Sequence, residues 1–89
     1  MEGITLGQIV HSKAGRDKGK YFIVVCIIDE NFIMMADGNL RKIDNPKMKK
    51  VKHLVLHNMV ASEIQTALTE GKPILDAQLR NGLQSIELL

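Results

Sequence analysis

Three histidines, one cysteine and a pair of adjacent carboxylates are the side chains here that suit metal binding, nucleophilic attack or proton transfer. None is spaced for that work. His53 and His57 are four apart, a metal-binding interval on a helix. Their surroundings, "KHLVLHN", read instead as a strand, where four residues span roughly 13 Å. These two and His11 are read as exposed or strand-end histidines. Cys26 lies between Val25 and Ile27, which predicts burial as a small hydrophobe, not the exposed, base-assisted setting of a nucleophile. A single cysteine has no intramolecular disulfide partner and forms no cysteine cluster for zinc, which fits a reducing compartment. Asp29 and Glu30 adjoin in a turn, and strand neighbours face opposite ways. The reading is therefore of a non-enzyme, with no catalytic residue, no metal site and no cofactor.

Phosphate binding is the chemistry the sequence does support. Residues 11 to 20, "HSKAGRDKGK", hold four cations and two glycines. The stretch is no nucleotide-hydrolysing loop: three residues separate Gly15 from Gly19, Tyr21 follows Lys20, and a strand pattern comes next. A second tract, residues 41 to 52, holds six cations and one acid, a net of +5, and Pro46 keeps it out of a helix. Residues 1 to 53 carry ten cations against six carboxylates, while residues 54 to 89 carry two against four. The basic part is the anion-facing part.

Two such loops at one end of a small domain would form a concave patch of up to ten cations: Lys13, Arg16, Lys18, Lys20, Arg41, Lys42, Lys47, Lys49, Lys50 and Lys52. Lysines on an irregular loop suit phosphate contacts, which position a partner without reading its bases. Structured RNA is favoured over DNA because no basic recognition helix is evident. Aromatic residues are 3% of the chain, too few for rows of stacked rings.

The elements that must position these residues fit one small domain of 89 residues. "GQIVHS", "KYFIVVCIID" and "NFIMMAD" read as strands, the second as one buried on both faces or curling between sheets. A hairpin bend at Asp37-Gly38 in "ADGNLRKI" leads to a fourth, and "KHLVLHN" is a fifth. Gly15, Gly19 and Gly38 are the glycines expected to shape the turns. Five short strands with short loops predict a mainly β fold: a small closed barrel over residues 1–58, followed by a helical extension over 59–89 packed on it. In that extension "ASEIQTALTEG" has a capping-box spacing at Ser62 and Gln65 with Gly71 as a stop, and "PILDAQLRNGL" places Pro73 at a first helical position. The longest apolar run, "YFIVVCII", is far shorter than the roughly 20 residues of a membrane span. "MEGITLGQ" has neither a basic region nor an apolar signal core, so a cytoplasmic protein without membrane contact is expected.

The order of hydrophobic strand, "SKAGRDKGK" and hydrophobic strand, from Gly7 to about Ile28, resembles the KOW motif of ribosomal proteins and transcription elongation factors. Further on, "VVCIIDENFIMMADG" and "RKIDNPKMKKVKHL" resemble the fourteenth large-subunit ribosomal protein of archaeal and eukaryotic type and its small bacterial KOW-domain relatives. The likeness covers residues 3 to 57. It implies an SH3-like five-stranded barrel that binds ribosomal RNA. The loop role falls on Gly15, Arg16, Asp17, Lys18, Gly19 and Lys20, and the basic-tract role on Arg41, Lys42, Lys47, Lys49, Lys50 and Lys52. An alternative is a protein-interaction module that docks a partner through the barrel or the C-terminal third, which is rich in apolar residues such as Ile64, Leu68, Leu75, Leu79, Ile86, Leu88 and Leu89.

Overall fold

Alternation along the second strand sends Phe22 and Val24 to one side and Ile23 to the other, yet all three are fully buried. That is possible only if the sheet has a core on each face. The computed structural model describes residues 4–87, and side chains through Ser85; Ile86, Leu88 and Leu89 lie outside the described side chains. Five strands form one antiparallel sheet: β1 (Gln8–Ser12), β2 (Tyr21–Ile27), β3 (Phe32–Ala36), β4 (Lys47–Lys50) and β5 (Leu54–Val60). Their spatial order is β4-β3-β2-β1-β5. The fold is thus mainly β, with two C-terminal helices, α1 (Ser62–Glu70) and α2 (Asp76–Glu87).

One core gathers Val10, Phe22, Val24, Ile33, Met35, Val51 and Leu54. The other joins Ile9, Ile23 and Ala36 to Ile64 of α1 and Leu79 of α2, so the helices cover the opposite face of the central strands. A 3-10 turn, Val51–His53, links β4 directly to β5 and buries Val51. The sheet pairings stop at β4 on one side and β5 on the other, leaving the sheet open.

Cys26, expected in the core, is exposed. The β2–β3 register shifts between Val24 and Cys26, and this irregularity ends the buried alternation, leaving Ile27 and Ile28 exposed as well. The fourth strand does not follow the Asp37-Gly38 bend as expected, since residues 37–46 form bends and turns; it lies further on, inside the basic tract, which is less irregular than expected. Its residues Lys47–Lys50 pair with Met35–Phe32 as an edge strand, and Pro46 stands just before it, where no ladder hydrogen bond is lost.

The helix starts depart from expectation for local reasons. Ser62 is already helical, and the cap position falls to Ala61, which has no side chain for the purpose. Gln65 reaches instead to the N-terminal segment, donating from Nε2 to the Leu6 carbonyl at 3.0 Å. Pro73 precedes α2 without entering it. The start is set at Leu75, whose N–H donates to Gln78 Oε1 at 2.7 Å. Gly71 does end α1, with a left-handed φ of 70° and the Lys72 N–H on the Ala67 carbonyl.

Helix α2 also anchors the β3–β4 connection. Asp76 Oδ1 accepts from the Ile43 N–H at 2.7 Å, and Arg80 Nη1 donates to the Gly38 carbonyl at 2.6 Å. Gly38 has a φ of 78°, and a Cβ there would run into the Asp76 carbonyl. Gly19 has a φ of 83° with open space where a Cβ would stand. Gly19→Val should therefore be destabilised by backbone strain alone, about 1–3 kcal/mol. Gly38→Ala should be destabilised more, because collision adds to strain. Urea unfolding of the two variants checks the order, and equal losses would show that the α2 contact yields freely.

Candidate nucleic-acid interface

The β1–β2 loop is shaped by its own backbone before any side chain acts. The Gly19 N–H donates to the Ser12 carbonyl at 2.7 Å, the Ser12 N–H to Lys20 at 3.1 Å, and the Lys20 N–H to Asp17 at 2.9 Å. Gly15 and Gly19 both take positive φ, which lets the chain double back into β2. Lys13, Arg16, Lys18 and Lys20 all point to solvent.

Two side chains tie this loop to the second basic segment. Arg41 donates to Asp17 Oδ2 from Nη2 at 3.0 Å and from Nε at 3.3 Å. Asp17 is only 3% exposed, so this acid, which looks solvated in the sequence, is a buried counter-charge. Lys49 reaches from the edge strand β4 to the Ala14 carbonyl at 3.1 Å. The Lys13 N–H, donating to the His53 carbonyl at 3.0 Å, joins the loop to the 3-10 turn. The two basic segments therefore meet, but Arg41 and Lys49 are engaged in holding them. Of the remaining predicted ligands in the tract, Lys42, Lys50 and Lys52 are exposed and Lys47 is half-buried. Lys50 Nζ lies 5.7 Å from the centre of the Phe32 ring.

A second cluster went unseen in the sequence. His11 faces Tyr21 across the β1–β2 ladder and lies diagonal to His57 on β5. His11 Nδ1 and His57 Nε2 are 2.7 Å apart, a hydrogen bond in which one ring donates and the other accepts. The ring centres of Tyr21 stand 5.1 Å from His11 and 5.3 Å from His57. His11 and His57 are thus paired and half-buried, not isolated strand-end residues, whereas His53 sits in the 3-10 turn. The missed signal is the hairpin itself: residues flanking a symmetric loop face each other, which puts His11 opposite Tyr21. Among the described residues no three His, Cys, Asp or Glu side chains converge for a metal. No described helix is long and apolar enough to cross a membrane.

Burial holds the His57 pKa below its ordinary value of 6.5, and the neighbouring His11 lowers it further. The unfolded chain therefore takes up this proton at a higher pH than the folded one. Stability from neutral His57 is present above pH 6.5 and is lost as pH falls through 6.5 towards the lowered value. His57→Gln should flatten the fall in Tm as the pH drops below 6.5. An unchanged slope would assign the acid sensitivity elsewhere. At neutral pH, Arg41→Ala should destabilise by about 1–3 kcal/mol by orphaning the Asp17 carboxylate, and Lys42→Ala should leave urea unfolding nearly unchanged.

No family profile matches the chain. Over 65 residues, 73% of this chain and 88% of the other, it is 31% identical to a Bacillus subtilis (strain 168) protein named "Putative ribosome-binding protein YbzG". Identity at that level over nearly the whole of the smaller protein shows that the chain belongs to the YbzG family.

Proposed function

We propose that this protein binds the ribosome by gripping the phosphate backbone of structured ribosomal RNA with the β1–β2 loop and the basic tract of residues 41–52. The observation that carries the reading is the junction of two basic segments by Lys49 on Ala14 and Arg41 on Asp17. Two separate solvated loops need no such ties; a surface that must present its charges together does. The name of the Bacillus subtilis relative supports the ribosome as the partner. In this reading the protein is a cytoplasmic binding module without catalysis, residues 1–58 being the binding unit and 59–89 its helical support.

The KOW-type barrel belongs to the same proposal. The strand order supports it, and so does the three-residue 3-10 turn between β4 and β5, which draws the two outer strands together at one end. Lys49, extending from β4 to the β1–β2 loop, bridges the same opening. A protein-docking role is the rival, favoured by exposed Ile27, Ile28, Met48 and Leu75.

Affinity for ribosomal RNA fragments, measured by fluorescence anisotropy, should fall with salt on a log–log slope of several units. Lys18→Ala and Lys52→Ala should each flatten it by about 0.7–0.9 and weaken all RNA sequences alike. A flat response would remove the phosphate reading. Capture of a protein partner that survives ribonuclease, without RNA binding, would favour docking instead.

A further inference from the structure

Between the mouth of β2 and helix α2 lies an open cleft of about 790 Å³, lined in part by Lys20, Tyr21, Asn39, Arg80, Asn81 and Gln84. We infer that this cleft takes one unpaired RNA nucleotide, its base stacked on Tyr21. The inference rests on the RNA reading above and adds a base contact to it.

Tyr21 is the natural platform. It directly follows Lys20 at the end of the phosphate-binding loop, so a strand held by that loop passes its bases here. The residue is 42% exposed, yet its ring is backed by the rings of His11 and His57. A ring already packed on one side loses little freedom when a base covers the other. Stacking on aromatic side chains is the usual way in which proteins hold unpaired RNA bases.

The remaining walls suit a nucleotide. Asn39, Asn81 and Gln84 carry amides that both donate and accept, as the hydrogen-bonding edges of bases require. Arg80 is fixed by its bond to the Gly38 carbonyl and sits with Lys20 as a cation for the attached phosphate. The one carboxylate on the wall, Asp37, has its Oδ1 occupied by the backbone N–H groups of Asn39 and Arg41. At β4, by contrast, the Phe32 ring already has Lys50 over it.

Tyr21 is the sole tyrosine and the chain has no tryptophan, so intrinsic emission reads the cleft directly. A single-stranded RNA 12-mer should quench it; inorganic polyphosphate, which has charge but no bases, should bind without quenching. Tyr21→Ala should weaken the 12-mer between about fivefold and a hundredfold. It should leave polyphosphate affinity and the salt slope unchanged, while Tyr21→Phe keeps full affinity. Asn81→Ala, on the exposed surface of α2, should weaken the 12-mer but not polyphosphate, which guards against misfolding at position 21. If the 12-mer binds without quenching and Tyr21→Ala binds it like wild type, the cleft is not a base site and the phosphate reading stands alone. Nucleoside monophosphates binding as tightly as the 12-mer would also overturn the inference, by making the cleft a free-nucleotide site. Failure of wild-type protein to bind any RNA would defeat the phosphate reading and the cleft with it.

Discussion

The whole arrangement depends on β2 being buried on both sides. Phe22 and Val24 fill the core on one face of the sheet, and Ile23 fills the core beneath the helices on the other. A small chain has little apolar area to remove from water, and a single strand serving two cores uses its residues at the highest density. The consequence is positional. Once Phe22, Ile23 and Val24 are fixed, Tyr21 and Lys20 can only emerge at one end, and the β1–β2 loop can only project beyond them. The basic loop is therefore the exposed continuation of the most constrained strand in the molecule.

Concentrating cations at that end creates a problem that the fold answers with one acid. Like charges on neighbouring loops repel, and water and salt screen that repulsion only in part. Asp17, buried beneath its own loop, pairs with Arg41 from the β3–β4 connection and turns a repulsive approach into an attractive one. Lys49 adds a directional bond to the Ala14 carbonyl. Helix α2 holds the other side of that connection through Asp76 on Ile43 and Arg80 on Gly38. The C-terminal third thus acts on the basic end mechanically: it fixes the segment from which Arg41 reaches.

Strand positions for β1, β2, β3 and β5 were legible because apolar runs and Gly-bounded loops mark them locally. The double burial of β2 was legible for the same reason, since "FIVV" has no polar alternate to face water. Contacts decided by register were not. The His11–His57 pair depends on how β1 lies against β5, where the register shifts between Gln8 and Val10. Nothing in either segment announces that shift. Cys26 was misplaced by the same kind of event, an irregularity opposite β3. Ser62 and Gln65 have the spacing of a capping box, but Gln65 found a carbonyl in the N-terminal segment, a tertiary competitor that no local pattern reveals. Within the site, the exposed cations could be picked out by charge alone. The structural duty of Arg41 and Lys49 could not, because it is set by partners 24 and 35 residues away.

The near absence of aromatic residues takes on a different meaning once the register is known. Counted along the chain, one tyrosine and two phenylalanines cannot make a stacking surface, and Phe22 is fully buried in the core. In space, β1, β2 and β5 bring the Tyr21 ring together with two imidazoles, all within 5.3 Å centre to centre. Burial keeps His57 uncharged to lower pH than a free imidazole, and a neutral ring packs against phenol without the solvation cost of a charge. Charge and ring surface are then divided between the β1–β2 loop and the strands beside it: cations on the loop, where water keeps them solvated, and rings on β1, β2 and β5, where the ladder holds them in place. That division follows from the sheet's own geometry, because a loop can display long flexible side chains but only paired strands can hold flat ones in register.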